Sequence, residues 1–168
     1  MSDRPKVVCL GGSLSAQSAS RAALEVALDA AAEQGAETAL FDVRTMDLPM
    51  FRREVEAPSA AVEQCDATFE AHGMIWSSPL YHGTISGAFK NALDWLDLLG
   101  DFLTDKGDRA HQHRRGRSGL QAVNTMEFVV RALRGMAVPL VAPVARAYRA
   151  FDESGRVVDE VIERQCVP

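Results

Sequence analysis

The sequence predicts an α/β domain with a doubly wound parallel sheet, helices covering both faces in a three-layer α/β/α sandwich. Three observations carry this. The runs KVVCLGG, ETALFDV and GMIWSSP are short, apolar and closed by turn residues, as strands buried on both faces are. They alternate with segments whose apolar residues recur three and four apart, and strict alternation of that kind winds right-handed helices onto a parallel sheet. A chain of 168 residues is long enough for one such core and too short for two, so residues 1–168 read as a single domain.

Taken in order, KVVCLGGS gives the first strand and a tight turn. ASRAALEVALDAAAEQ (19–34) follows as a helix, with Leu24, Ala27, Leu28 and Ala31 on one face and Gly35 closing it. ETALFDV (37–43) is the second strand, and Pro49 and Pro58 make DLPMFRREVEAPS a loop. Residues 59–71 form a short helix with Ser59 as its N-cap, leading to the third strand, GMIWSSP. After the loop PLYHGTISG, residues 87–99 are helical, with Phe89, Leu93, Leu96 and Leu99 as the apolar face. Another helix runs from Leu120 to about Arg134. AVPLVAPVA is a strand broken by prolines and therefore suited to a sheet edge. FDESGRVVDEVIERQ is a turn and a final helix.

Composition narrows the partners. A formal charge of −5 argues against nucleic acid as the main partner, although cations crowd residues 109–117. No apolar run is long enough to span a bilayer, and the N-terminal residues enter a strand without a signal-peptide pattern, so the expectation is a cytoplasmic protein without membrane contact. Cys9, Cys65 and Cys166 are widely spaced and form no CxxC pair, which removes the common zinc and redox frameworks. Reduced thiols are expected, with Cys9 a small core residue.

Two stretches carry chemistry. GGSLSAQSASR (11–21) joins the first strand to the first helix. Gly11 and Gly12 permit a sharp turn, and Ser13, Ser15, Ser18 and Ser20 bring hydroxyls to a helix N-terminus, which suits a phosphate monoester. The stretch is neither GxGxxG nor an NTPase loop ending in GK[ST]; a Ser-rich helix cap without ligand is the competing reading. The second, SSPLYHGTISGAFKNALDWL (77–96), lies at the carboxyl end of the third strand, where open α/β sheets bind ligands. Tyr81 can offer an aromatic face to a flat heterocycle. The bland alternatives are a packing role for Tyr81, a solvated His82, and a core or interface role for Trp95.

The second stretch is similar to the pattern P-x-Y-x-(G/S)-x-x-(P/S)-G-x-(L/F)-K-N-A-(L/I)-D-W, and the chain resembles the NADPH-dependent FMN reductase family of flavodoxin-like proteins. GGSLSAQSASR, GLQAVNTMEFVVRALRGMAVP and AFDESGRVVDE extend the resemblance over almost the whole chain. It implies a flavodoxin-like sheet in the order 2-1-3-4-5 and non-covalent FMN. Ser13, Ser18 and Ser20 would hold phosphate, while the turn Pro79, Leu80, Tyr81, His82, Gly83 would line the ring. Ser15 stands where many members carry Arg, a gap that Arg21 on the first helical turn fills in part. The implied activity is electron transfer from NADPH or NADH through FMN to a quinone, azo, nitro, metal-oxyanion or flavin acceptor. No side chain is assigned a catalytic role, because the cofactor performs the chemistry. A homodimer or homotetramer and service to a flavin-dependent monooxygenase are further implications.

One segment breaks the pattern. The resemblance requires an apolar fourth strand and a Gly-Gly flavin loop where the chain reads GDRAHQHRRGR (107–117), and burying Arg109, Arg114 and Arg115 unpaired in a central strand would cost several kcal/mol each. With Arg taken from its CGN codons, the same bases read one position later can encode Val-Ile-Val-Leu-Ile-Ser-Thr-Ala-Gly-Gly, the missing strand and its loop. A compensated frameshift is therefore the expected origin, leaving strand four irregular or missing. If the segment is translated as written, a flavin-binding or interaction module with impaired catalysis is the alternative function. A basic arm for nucleic acid and a His111/His113 metal pair compete, the latter weakened by the absence of a neighbouring carboxylate or thiol.

Overall fold

In the chain order of a computed structural model, which describes residues 4–99, 110–112, 119–141, 150–152 and 156–158, the elements begin with β1 (Lys6–Gly11), α1 (Ala19–Glu33) and β2 (Glu37–Asp42). A one-turn α2 (Val43–Met46), α3 (Ser59–Glu70) and β3 (Gly73–Ser77) follow. Next come β4 (Leu80–Tyr81), β5 (Thr84–Ile85) and α4 (Gly87–Asp94), which tightens into a 3-10 turn over Trp95–Leu99. The described elements end with β6 (Ala110–Gln112), α5 (Gly119–Ala132) and β7 (Ala137–Val141). Five strands form one parallel sheet in the order β2-β1-β3-β6-β7. With the small β4–β5 hairpin set aside, this is the flavodoxin-like order 2-1-3-4-5.

Period-two alternation along the strands divides the core. Val8, Leu10, Met74 and Trp76 pack against Cys65 of α3, Phe89 and Leu93 of α4, and Met126 and Val130 of α5. Cys9 and Ile75 face the other way, onto Leu24 of α1. Each such side chain contributes about 1.5–3 kcal/mol when fully withdrawn from water, so the alternation drives both helical layers onto the sheet. Burial pushes the Cys9 thiol up to about 12, and that of Cys65, beside Asp66, up to about 11. Cys9 thus stays protonated in the folded state after the unfolded thiol, at its ordinary 9.0, has ionised. Its contribution is complete below that pH and is lost as pH rises toward the folded value, at about 1.4 kcal/mol per pH unit. Urea unfolding between pH 8 and 10.5 is expected to show the gap between wild type and Cys9→Ala closing at that slope; a constant gap would contradict the burial.

Helix α1 follows the expected boundaries. Ser18 caps it by accepting from the Arg21 N–H at 3.2 Å, and Gly35, at φ +87°, takes the left-handed conformation just past its end. Three details differ from the sequence reading. Ser59 is the first helical residue rather than the cap of α3; Pro58 occupies the cap, and its carbonyl accepts from the Ala61 and Val62 N–H groups. The stretch 80–85, read as loop, is a hairpin pairing Leu80 with Ile85 and Tyr81 with Thr84. Its central residues His82 (φ 50°) and Gly83 (φ 90°) both have positive φ, the backbone of a type I′ turn. The residues read as a turn before the final helix form an antiparallel bridge between Phe151 and Val157.

The fourth position of the sheet is filled, irregularly. His111 pairs with Ile75 of β3, while Ala110 and Gln112 pair with Ala137 and Val141 of β7, so two steps on β6 span four on its neighbour. Residues 107–109 and 113–117 of the basic segment lie outside the described residues, as does the expected final helix beyond Val158. The proline-bearing β7 takes the sheet edge, where a missing N–H is tolerated. Among the described residues no helix is long and apolar enough to cross a membrane.

Candidate functional site

The register of the sheet levels its carboxyl edge. Gly11 lies opposite Asp42 on one side and Ser77 on the other, so the turns after β1, β2 and β3 leave the sheet at one height. This is where the strand order reverses between β1 and β3, the crevice in which open α/β sheets take ligands.

The serine turn is built against the third strand. Gly12 donates its N–H to the Ser77 carbonyl at 2.7 Å, and Ser13 behind it is buried, its hydroxyl accepting from the Ser15 N–H at 3.2 Å. Ser15 is exposed and donates to the Gln17 carbonyl. The half-buried Ser18 and Ser20 hydroxyls lie 2.8 Å apart at the start of α1. Hydroxyls and free helical N–H groups together offer donors to an anion.

Arg21 is committed to protein partners. Its guanidinium bonds Glu25 at 2.9 Å and the buried Asp42 at 3.1 Å, and Glu25 above all holds it firmly charged. Asp42 also caps α2 by accepting from the Arg44 N–H. The cation therefore sits one turn into α1, tied to the end of β2.

On the other side of the edge, Pro79 and Leu80 are half-buried, while Tyr81, His82 and Gly83 are exposed at the hairpin tip. Tyr81 is 52% exposed, which rules out a core-packing role for its ring. Thr84 ties the hairpin to α5 through the Thr125 hydroxyl at 3.1 Å, and Ile85 is buried beneath.

Reading the sequence for hydroxyls and aromatics missed the residues that join the two turns. Ser86, buried at the N-cap of α4, donates its hydroxyl to the Gly12 carbonyl and accepts from the Phe89 N–H at 3.0 Å. Its own N–H goes to the Ser78 hydroxyl at 3.0 Å. Phe89, fully buried and edge-on to Trp76, closes against Gly12 so tightly that a Cβ there would lie 2.7 Å from the Phe89 Cβ. Further along α4, Asn91 accepts from the Phe51 N–H at 2.8 Å and donates to the Pro49 carbonyl at 2.9 Å; the Trp95 Nε1 donates to the same carbonyl. Trp95 is thus core rather than interface, at 1% exposure. A signal existed for Asn91: an amide on the apolar face of a helix needs buried partners.

Among the described residues no group of three His, Cys, Asp or Glu is placed to hold a metal ion. The profile of the family described as NADPH-dependent FMN reductase matches residues 5–150. The NADPH-dependent FMN reductase ArsH of Shigella flexneri is 33% identical over 156 residues, 90% of this chain and 60% of that protein. An NAD(P)H-dependent FMN reductase of Pseudomonas aeruginosa is 27% identical, covering 98% of this chain and 93% of its own. The chain spans about 60% of the length of the ArsH relatives it matches. Among solved structures, the flavoenzyme NAD(P)H:(acceptor) oxidoreductase FerB of Paracoccus denitrificans superposes with a TM-score of 0.77 at 17% identity, over 96% of this chain and 93% of that one. With a profile match over most of its length, and with the turns after β1 and β3 meeting at the carboxyl edge of the sheet, this chain belongs to the NADPH-dependent FMN reductase family.

Proposed function

We propose that the chain binds FMN without a covalent bond and acts as an NAD(P)H-dependent oxidoreductase. Ser13, Ser15, Ser18 and Ser20 at the N-terminus of α1 would hold the phosphate, and Pro79, Leu80, Tyr81, His82 and Gly83 would line the ring. The observation that carries this reading is the Gly12–Ser77 hydrogen bond, which brings the serine turn and the tyrosine hairpin to one edge of the sheet. The donor set suits a phosphate monoester: a helix N-terminus, a buried hydroxyl and two more hydroxyls in contact. Arg21 is paired with both Glu25 and Asp42, so the hydroxyls and helix N–H groups, rather than a free cation, are the main donors to the phosphate.

FMN, when bound, would supply the redox chemistry between NADPH or NADH as hydride donor and a small electron acceptor. The chain's residues position and enclose it. Leu80 and Pro79 form a half-buried floor, Tyr81 stands at the rim, and the α5 contact through Thr125 keeps the hairpin from folding away. Quinones, azo and nitro compounds, metal oxyanions and flavin for a partner monooxygenase are the acceptor classes, served by a cytoplasmic homodimer or homotetramer. Purified protein is expected to be yellow or to become so with FMN, and to oxidise NAD(P)H with an acceptor present. A colourless protein that saturating FMN leaves unchanged would withdraw the assignment.

A second reading rests on β6. Its three residues and shifted register leave a central strand of the sheet poorly made, which favours a flavin-binding module of impaired turnover. FMN binding with little NAD(P)H oxidation is the outcome that would select it.

A further inference from the structure

Ser86 lies outside the residues that line the cleft, yet both turns of the cleft end on it. Its hydroxyl donates to the Gly12 carbonyl, in the turn that follows β1. Its N–H donates to the Ser78 hydroxyl, in the turn that follows β3, and Ser78 in turn donates to the Pro79 carbonyl at 3.0 Å. The same Ser86 oxygen accepts from the Phe89 N–H, which fixes the hub to the first turn of α4. At 3% exposure, Ser86 is cut off from water that could replace any of these bonds.

The peptide geometry extends this grip into the serine turn. The Gly12 carbonyl and the Ser13 N–H share one planar trans peptide and point in opposite directions. Holding that carbonyl toward the α4 cap therefore fixes the Ser13 N–H pointing away from it. Gly12 is held at both ends, its N–H bonded to Ser77 and its carbonyl to Ser86, and the space where a Cβ would stand is closed by Phe89.

We infer that Ser86 is a positioning residue that couples the two halves of the cleft: occupancy of the serine turn by a phosphate group raises affinity for an isoalloxazine at the hairpin, and the reverse. This rests on the FMN site proposed above. Coupling of two sites is reciprocal and appears as a ratio of affinities, which a loss of general stability does not by itself change.

The experiment dissects FMN into its two ends. Riboflavin is titrated into the flavin-free protein with and without saturating inorganic phosphate, for wild type, Ser86→Ala, Ser86→Thr and Ser78→Ala. FMN is titrated into wild type first, in the same buffer without phosphate. Phosphate is expected to tighten riboflavin binding to wild type by about tenfold, the ordinary size of such a coupling. In Ser86→Ala and Ser78→Ala the ratio falls to near one, while Ser86→Thr, which keeps the hydroxyl, retains most of it. Should Ser86→Ala not fold, Ser78→Ala decides, because it breaks the same chain at its other end. Wild type that binds FMN but shows no phosphate effect, or an alanine variant that keeps the full effect, overturns the role of Ser86 alone. Wild type that fails to bind FMN withdraws the site itself.

Discussion

Replacement of Gly12 by alanine is expected to weaken FMN binding by about five- to 150-fold and to lower stability. The added Cβ would sit 2.7 Å from the Phe89 Cβ and 2.8 Å from two ring carbons. Phe89 has no room to withdraw, being fully buried edge-on to Trp76 and part of the first turn of α4. The strain is relieved only by shifting the serine turn, which breaks the Gly12 bonds to Ser77 and Ser86. Overpacking of this kind costs about 1–3 kcal/mol, and a comparable loss in ligand binding is tenfold for each 1.4 kcal/mol or so. A second substitution sharpens the test. Because the closest atom is a Cβ, Phe89→Leu leaves the clash in place and is not expected to rescue Gly12→Ala. Fluorescence titration with FMN and urea midpoints on the single and double variants check this; near wild-type affinity in Gly12→Ala would show that the turn yields freely.

The second large effect concerns the centre of the sheet. Residues 107–116, Gly-Asp-Arg-Ala-His-Gln-His-Arg-Arg-Gly, are to be replaced by the alternative reading of the same bases, Val-Ile-Val-Leu-Ile-Ser-Thr-Ala-Gly-Gly. The strand in this position is flanked by β3 and β7 and has helices over the sheet, so its side chains belong in an apolar interior. Each buried aliphatic side chain contributes about 1.5–3 kcal/mol, so a stability gain on the order of 3 kcal/mol or more is expected. FMN affinity should rise with it, since the Gly-Gly end of that reading supplies a further turn at the carboxyl edge. Urea unfolding and FMN titration of the two chains side by side measure both. Equal stability would end the frameshift account, and salt-sensitive retention of DNA or RNA by the original chain would favour a genuine basic arm.

How far the fold could be read from the chain depended on the range of the forces involved. Strands β1, β2 and β3 and helix α1 announce themselves because their signals are local: an apolar run, a helical period, a serine cap, a closing glycine. The edge place of β7 followed from Pro139, which cannot donate to a ladder. The hairpin was locally encoded as well, in the His-Gly pair at 82–83, but histidine is a less familiar occupant of a left-handed position than asparagine and the stretch reads as loop. Ser59 misled because a serine after a proline matches a cap by type while Pro58 holds the position.

The cleft was legible only in part for the same reason. The serines at 13, 15, 18 and 20 and the turn around Tyr81 stand out by type and place. The Ser86–Gly12 bond spans 74 residues of sequence, and the Gly12–Phe89 contact is similarly remote, so neither leaves a local trace. Of the two partners of Arg21, Glu25 lies one helical turn along and is legible, whereas the buried Asp42 belongs to a different strand and leaves no local trace.

The anchoring of residues 48–51 by Asn91 and Trp95 has a consequence for how such proteins diverge. Every one of those bonds ends on main-chain groups: the carbonyls of Leu48 and Pro49 and the N–H of Phe51. Any amino acid supplies the same carbonyls, and any but proline the same N–H. Drift in the identity at Met50, which is exposed, is therefore tolerated, whereas an inserted or deleted residue would put the wrong groups in front of the amide. Selection on this stretch acts on its length and on the packing of Leu48 and Phe51, leaving the side chain at 50 free for adaptation.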